Sequence, residues 1–257
     1  MIDWRAIDTV LLDMDGTLLD LHFDSHFWLE HLPRRYVELH RLDEATQEQL
    51  RSRIIREKGT LNWYSLAYWS RELGVDIVAL KREIQHLIGL RSDALDFLKW
   101  LKQAHPRVVL ATNADRESLE LKLPLTGLEE YLDAIVSSAD LGVPKEAQEF
   151  WFALQDVEPF DPARTLFIDD NPEVLESARE FGIRHLLGIK QPDSTQPEKE
   201  LKEFIALDRF ATILPEALPS EVRADKVRGD KVRGDMTRGD KMRGDKGKPG
   251  ETGGVGG

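Results

Sequence analysis

The sequence predicts an α/β fold, in which helices cover both faces of a parallel sheet and a helical segment follows the first strand. Short, continuous apolar runs are typical of strands that are buried on both faces. Five such runs occur, at residues 9–12, 107–111, 134–136, 165–168 and 185–189. Helical patterns separate the later runs, and an alternation of strands and helices favours a parallel sheet.

Residues 20–89, which follow the first predicted strand, have a different pattern. This stretch has helical spacing throughout and no clear strand, and its candidate helices lie at residues 23–40, 44–58 and 61–73. We therefore expect an all-helical cap over the carboxyl edge of the sheet. Most aromatic side chains of the stretch are expected to pack inside that cap.

Three further helices are predicted beyond the cap, at residues 92–103, 145–157 and 172–181. The last of them ends at Gly182, and glycine commonly ends a helix. Together with the strands, these helices complete the two layers that cover the sheet.

The chain is expected to divide into a core, an insert and a tail. The core comprises residues 1–19 and 90–218, and the cap comprises residues 20–89. Residues 219–257 contain tandem five-residue repeats with the tripeptide Arg-Gly-Asp and end in a glycine-rich run. Their few apolar side chains cannot offset the entropy of ordering, so we expect a disordered low-complexity tail without a catalytic role.

The composition excludes several classes of site and partner. The chain has no cysteine, which excludes disulfides, zinc–thiolate sites and cysteine nucleophiles. A formal net charge of −12 disfavours a nucleic-acid polymer as partner. No apolar run approaches the ~18 residues of a membrane span, and the N-terminus lacks the pattern of a secretion signal. We therefore expect a cytoplasmic protein that needs neither a membrane nor an obligate protein partner.

Polar side chains stand where three of the predicted strands end: Asp13, Thr112, Asn113, Asp169 and Asp170. In open parallel sheets, ligands bind at the carboxyl ends of the strands. The sequence therefore predicts a ligand site at this edge.

Hydrolysis of a phosphate monoester needs groups of this kind. A nucleophile has to approach phosphorus although both are negatively charged, and a divalent cation neutralises that repulsion. A carboxylate nucleophile gives an acyl phosphate that water then opens, while a second acid protonates the leaving oxygen. Asp13 and Asp15 suit these two roles, because Gly16 allows the chain to turn tightly after the strand.

The same edge offers ligands for Mg²⁺, which prefers hard oxygen donors. Asp13, the backbone carbonyl of Asp15, and a carboxylate of Asp169 or Asp170 can supply the protein's share. The sequence thus predicts a magnesium site beside the nucleophile.

Donors for phosphate oxygens are also present. Thr112 and Asn113 offer a hydroxyl and an amide at the end of a neighbouring strand. Lys145 follows Pro144 at the predicted start of a helix. Its ammonium can balance Asp13 and bind phosphate as a point charge.

Each segment also has a plain structural interpretation. Residues 13–16 can form a turn, although residues 17–19 break the calcium-loop pattern. Residues 112–113 can be simple capping residues, Lys145 can be a solvated lysine, and residues 169–172 can cap a helix that begins with proline. Three of these segments stand on strand ends and Lys145 stands at the predicted start of a helix, and the occurrence of all four in one chain favours a single site.

Four segments resemble the four motifs of the haloacid dehalogenase-like hydrolase superfamily: Asp13-Met14-Asp15-Gly16-Thr17, Thr112-Asn113, Lys145 and Asp169-Asp170. The resemblance implies a Rossmann-like three-layer core, a cap inserted after the first strand, an aspartyl-phosphate intermediate and Mg²⁺. The dehalogenases of the superfamily lack the second aspartate, so Asp15 argues against dehalogenation.

The resemblance also implies a role for each residue. Asp13 is the nucleophile and a metal ligand, and Asp15 is the general acid and base with its carbonyl on the metal. Asp170 is the expected direct metal ligand, whereas a direct or indirect role of Asp169 stays open. The groups expected to bind phosphate or substrate are Gly16, Thr17, Thr112, Asn113 and Lys145.

A longer likeness, which includes residues 61–64 of the cap, is to the bacterial 5′-nucleotidases of this superfamily that act on GMP and IMP. It implies a purine nucleoside monophosphate as substrate, and Trp63 and Tyr64 are candidates for stacking on its base. One alternative is a phosphatase or phosphomutase for another small phosphorylated metabolite, such as a sugar phosphate. Another is a noncatalytic protein that docks through the repeat tail, which the clustered charges disfavour.

Overall fold

Six parallel strands form one sheet in the computed structural model, which describes residues 2–201 and 203–215. The strands are β1 (Thr9–Leu12), β2 (Arg107–Thr112), β3 (Ala134–Ser137), β4 (Thr165–Asp169), β5 (His185–Ile189) and β6 (Ile205–Leu207). Their order across the sheet is β3-β2-β1-β4-β5-β6. The five predicted strands are present, and β6 was not predicted because a run of three residues at a sheet edge has no distinctive pattern.

Strand β1 lies at the centre of the sheet between β2 and β4. Leu12 pairs with Leu110 on one side and with Ile168 on the other. Since all three strands are parallel, the residues that follow them emerge side by side at one edge. This register brings Asp13, Thr112 and Asp169 together.

Helices lie on both faces of the sheet and in an insert between β1 and β2. The insert contains α1 (His22–His26), α2 (Leu32–His40), α3 (Ala45–Arg56), α4 (Leu61–Tyr64), α5 (Leu66–Leu73) and α6 (Ile77–Glu83). The helices that follow it are α7 (Ala94–Ala104), α8 (Arg116–Thr126), α9 (Ser138–Leu141), α10 (Gln148–Val157) and α11 (Pro172–Phe181). The α/β prediction, with a helical insert after the first strand, is confirmed.

Two apolar clusters explain why the sheet is buried on both faces. Alternate residues of a strand point to opposite faces. Val10 accordingly joins a cluster that includes Phe97 of α7, whereas Leu11 joins one that includes Trp151 of α10. Three layers result, and a continuous apolar run such as residues 9–12 is the sequence that such burial requires.

The insert has an apolar cluster that includes Phe23, Phe27 and Trp69 and extends to Leu121 of α8. The two ends of the insert lie side by side. The Asp20 amide donates to the Gly89 carbonyl at 3.0 Å, and the Arg91 amide donates to the Leu18 carbonyl at 2.9 Å. These paired segments support the proposal that the cap comprises residues 20–89.

Several helix predictions need correction. The helix predicted over residues 145–157 begins at Gln148, so the prediction that Lys145 opens a helix is wrong. Lys145 lies in a turn instead, in which the Ala147 amide donates to the Pro144 carbonyl at 3.0 Å. The helix predicted over residues 61–73 is interrupted at Ser65, whose hydroxyl accepts a hydrogen bond from the Tyr68 amide and caps α5.

Three helices were missed, and one of them, α9, is only four residues long. Helix α6 is only seven residues long, and α8 contains Pro124, which disfavours a helix in a sequence pattern. The repeat tail predicted for residues 219–257 lies outside the described residues. None of the helices within the described ranges combines the length and the apolar character that a membrane crossing requires.

The packing of α10 gives a test of the core. Leu154 is fully buried on this helix, whereas Val157 is 59% exposed. Leu154→Ala is expected to lower the free energy of unfolding by about 2–5 kcal/mol, because it leaves a cavity. Val157→Ala on the same helix is the control and should change it by less than about 0.5 kcal/mol. Urea unfolding measures both values, and equal values for the two variants would contradict this packing.

Candidate functional site

A buried lysine joins the ends of β1 and β4. The Lys145 ammonium donates to Asp13 Oδ1 at 2.5 Å, to Asp169 Oδ2 at 2.7 Å and to the Ala111 carbonyl at 3.1 Å. Lys145, Asp13 and Asp169 are all buried. These three predicted site residues therefore form one cluster, although they lie far apart in the sequence.

Asn113 holds the turn that carries this lysine. Its side-chain carbonyl accepts a hydrogen bond from the Lys145 amide at 2.9 Å, and its amide group donates to Glu146 Oε2 at 2.9 Å. Asn113 was predicted to bind phosphate, and the structure uses its side chain to place Lys145. A contribution of Asn113 to phosphate binding stays a prediction.

The charges of the cluster are unbalanced. Burial lowers the pKa of Lys145, but the carboxylates of Asp13 and Asp169 outweigh that effect, so its pKa is raised overall. Burial raises the pKa of Asp13 well above its usual range; Lys145 opposes the rise, and Asp169 and Asp170 add to it. Carboxylates crowded together in this way favour the entry of a further cation.

Asp13, Asp169 and Asp170 are suited to hold such a cation. Each offers a carboxylate oxygen, and these oxygens lie within 4.8 Å of one another. Both oxygens of Asp169 are already engaged, one by Lys145 and the other by the Asn171 amide at 2.7 Å. Asp170 accepts only from the Lys199 ammonium, at 2.9 Å, among the contacts within the described ranges. This difference supports Asp170 as the more direct ligand, and the set of hard oxygen donors fits Mg²⁺.

Asp15 lies in a different electrostatic environment from Asp13. Its carboxylate accepts from the Lys122 ammonium of α8 at 2.7 Å. Burial is the largest influence on the pKa of Asp15 and raises it, although Lys122 opposes that rise. A carboxyl group with a raised pKa is suited to carrying a proton. The raised pKa supports an acid and base role of the Asp15 side chain, which stays a prediction.

Two threonine hydroxyls belong to the predicted set. Thr112 Oγ1 accepts from the Ala114 amide at 3.0 Å, which leaves its own hydrogen for donation. The Thr17 hydroxyl is buried and has no hydrogen-bond partner among the residues that the structure describes. A buried polar group without a partner is costly, so a ligand contact at Thr17 stays a reasonable prediction.

Glycine is required at position 16 because of its backbone conformation and because of the atoms that lie close to it. Its φ is +87°, a backbone conformation that residues other than glycine rarely adopt. A Cβ at this position would lie 2.8 Å from Asp170 Cγ and 3.0 Å from Pro192 Cβ. The predicted turn at Gly16 thus allows β1 and the Asp170 carboxylate to approach each other.

The two aromatic residues predicted to meet the substrate differ in their contacts. The Tyr64 hydroxyl donates to Glu146 Oε1 at 2.8 Å, so this residue of the insert reaches the turn beside Lys145. The Trp63 ring is partly exposed and stacks with Trp28, with ring centroids 6.5 Å apart. Trp63 is thus partly exposed, and a contact of its ring with a substrate stays a prediction.

Sequence reasoning missed the charged groups that surround Asp15. Lys122 also donates to Asp24 Oδ2 at 2.6 Å, and Lys81 donates to Asp24 Oδ1 at 2.6 Å. Lys122 stands three residues after the buried Leu119 in a helix, a spacing that places a lysine on the apolar face. That spacing was the available indication of a buried lysine, but nothing in the sequence identifies its partners.

The close approach at Gly16 can be tested. Gly16→Ala is expected to displace Asp170 and to raise the Mg²⁺ concentration for half-maximal activity about tenfold, as loss of support for a metal ligand does. Gly59→Ala is the control, because Gly59 has a similar φ of +83° and a Cβ added there would meet nothing within 4 Å. An Mg²⁺ titration of both variants that gave equal shifts would contradict the role of this contact.

Comparisons with known proteins agree with this geometry. The family model of haloacid dehalogenase-like hydrolases matches residues 7–182. The GMP/IMP nucleotidase YrfG of Escherichia coli (strain K12) is 40% identical over 218 residues, which cover 84% of this chain and 98% of that protein. The phosphorylated carbohydrates phosphatase of Thermotoga maritima is 25% identical over 189 residues, which cover 71% of this chain and 85% of that protein.

A solved structure supports the fold. The crystal structure of a HAD phosphatase from Thermococcus onnurineus superposes with a TM-score of 0.67 at 17% identity, and it covers 80% of this chain and 96% of that one. The family match extends over most of the described sheet and its four motif segments. The chain therefore belongs to the haloacid dehalogenase-like hydrolases.

Proposed function

We propose that this hydrolase is a Mg²⁺-dependent 5′-nucleotidase that releases phosphate from GMP and IMP. The observation that carries the proposal is the 40% identity to a GMP/IMP nucleotidase over 218 residues. Fewer than 218 residues of the chain lie outside residues 20–89. The alignment therefore includes part of the helical insert, the element expected to meet the substrate.

The chemistry begins at Asp13. Its free carboxylate oxygen attacks phosphorus as the bond between phosphorus and the leaving oxygen breaks, and an aspartyl phosphate forms. Asp15 gives its proton to the leaving ribose oxygen. Asp15 then takes a proton from the water that attacks the aspartyl phosphate, and inorganic phosphate leaves as Asp13 is restored.

Lys145 and the donors around it hold the phosphoryl group. Its ammonium contacts Asp13, and the Thr112 hydroxyl stands at the end of the adjacent strand β2. Both groups can bind oxygens that gain charge in the transition state. Asp13, Asp170 and the carbonyl of Asp15 would hold Mg²⁺. When bound, Mg²⁺ supplies positive charge that reduces the repulsion between the nucleophile and the phosphate.

The second candidate function is a phosphatase for a sugar phosphate or another small phosphorylated metabolite. The likeness to the phosphorylated carbohydrates phosphatase supports it, at 25% identity. The same aspartyl phosphate can also pass to an acceptor other than water, as in a phosphomutase. The higher identity favours the nucleotidase.

A substrate panel tests the proposal. With Mg²⁺, free-phosphate release is expected to be fastest for GMP and IMP, and slower for AMP, pyrimidine monophosphates and sugar phosphates. A chelator should abolish the release, and added Mg²⁺ should restore it. A sugar phosphate as the best substrate would favour the second candidate, and interconversion of two esters with little phosphate release would favour a mutase.

Asp13→Asn tests the proposed nucleophile. It should lower turnover by about 10⁴-fold or more, as loss of a nucleophile does. Asp156→Asn, on the exposed face of α10, should leave turnover unchanged. Turnover by Asp13→Asn close to that of the unmodified enzyme would contradict the proposed nucleophile.

The contribution of Trp63 to base recognition can be measured separately. Stacking of an aromatic ring on a base contributes about 1–3 kcal/mol. Trp63→Ala is therefore expected to raise KM for GMP about tenfold with little change in kcat. Trp100→Ala is the control, because Trp100 packs against Trp4 beside the sheet. An unchanged KM for GMP in Trp63→Ala would contradict stacking on the base.

A further inference from the structure

A row of four buried or partly buried charges runs from Asp15 into the insert. The Lys122 ammonium lies 2.7 Å from Asp15 Oδ1 and 2.6 Å from Asp24 Oδ2, and Lys81 lies 2.6 Å from Asp24 Oδ1. The charges alternate in sign and balance one another. Lys122 belongs to α8 beside the sheet, whereas Asp24 and Lys81 belong to α1 and α6 of the insert.

Lys122 is not needed to neutralise the Asp24 carboxylate of the insert. Lys81 alone already pairs with Asp24, so these two charges would balance without a third group. Asp15 has no such second partner, because Lys122 is the cation that its carboxylate contacts among the described residues. The distinct contribution of Lys122 is therefore its contact with Asp15.

The surroundings leave this lysine little freedom. Its side chain is 2% exposed, and that of Lys81 is 1% exposed. The Phe23 ring lies under both ammonium groups, at 5.5 Å from Lys122 and 4.8 Å from Lys81. A cation fixed between two carboxylates and a ring holds its partners in fixed positions, and catalysis is sensitive to displacements of about 1 Å.

We propose that Lys122 is a positioning residue that orients the Asp15 carboxyl group toward the leaving oxygen. Because Lys122 also contacts Asp24, this orientation depends on how the insert packs on the core. The inference rests on the proposed acid and base role of Asp15. It assigns a function to a residue outside the four sequence motifs.

The expected defect is specific to poor leaving groups. An alkoxide leaves only when Asp15 delivers a proton as the phosphorus–oxygen bond breaks, whereas p-nitrophenolate leaves without one. The value of kcat/KM reports the steps up to this bond cleavage. A misplaced Asp15 should therefore lower kcat/KM for an alkyl phosphate more than kcat/KM for p-nitrophenyl phosphate.

The experiment compares the two esters in the full-length enzyme with Mg²⁺. The alkyl ester is the one that the unmodified enzyme hydrolyses fastest. Lys122→Met should lower kcat/KM for it by about 10²-fold and for p-nitrophenyl phosphate by at most about tenfold. Lys122→Arg, which keeps the charge, should restore part of the loss. Lys102→Met, on the exposed side of α7, is the control and should change neither value.

The ratio of the two losses protects the test against poor folding. Both esters are measured with the same preparation, so a smaller folded fraction lowers both values equally and cancels from the ratio. If Lys122→Met gives no folded enzyme, Lys122→Arg is measured in the same way, and a ratio above one is expected. Equal losses for both esters would overturn the inference.

Asp15→Asn separates this inference from the proposed function. It should show the same leaving-group dependence with a larger loss. If Asp15→Asn lowers kcat/KM equally for both esters, the acid role of Asp15 fails, and the mechanism proposed for the hydrolysis fails with it. If Asp15→Asn shows the dependence and the Lys122 variants do not, only the positioning role is overturned.

A double variant tests the link between Lys122 and the insert. Asp24→Asn combined with Lys81→Met removes one charge of each sign and leaves the contact between Lys122 and Asp15 in place. A selective loss for the alkyl ester, smaller than that of Lys122→Met, is expected because Lys122 loses its second anchor. Unchanged values for both esters would overturn the link to the insert.

Discussion

The contact of Lys145 with Asp13 and Asp169 is the interaction on which the rest of the site depends. It joins the ends of β1 and β4 and the turn after Pro144 through one buried ammonium. Removing such a charge from water is costly, and the cost is offset only when its hydrogen bonds are well made. Here all three hydrogens of the ammonium have acceptors, and Asn113 fixes the turn that carries it.

The position of this contact follows from the sheet. Because β1 lies between β2 and β4 in parallel register, each of these strands delivers one polar residue to the same edge. The apolar runs below that edge pack into both helical layers and hold it in place. The insert begins directly after β1, so its residues lie near the same edge. Tyr64 of the insert contacts Glu146, and Asp24 of the insert contacts Lys122, which in turn contacts Asp15.

Much of this arrangement could be predicted from the sequence. Strand ends are visible as apolar runs that stop at a polar residue, and this pattern alone places Asp13, Thr112 and Asp169 on one edge. The role of Asn113 could not be predicted, because a side-chain contact with the Lys145 amide depends on the path of a turn. Asp24 and Lys122 are 98 residues apart, and no local pattern specifies a contact over that separation.

The central claim is that Asp13 is the residue that receives the phosphoryl group. The most direct measurement is acid quenching of the enzyme during turnover, followed by mass spectrometry of the peptide that contains Asp13. The account predicts a phosphoryl group on Asp13 that disappears when the substrate is exhausted. A phosphoryl group on another residue, or release of phosphate in a single turnover without any phosphorylated enzyme, would contradict it.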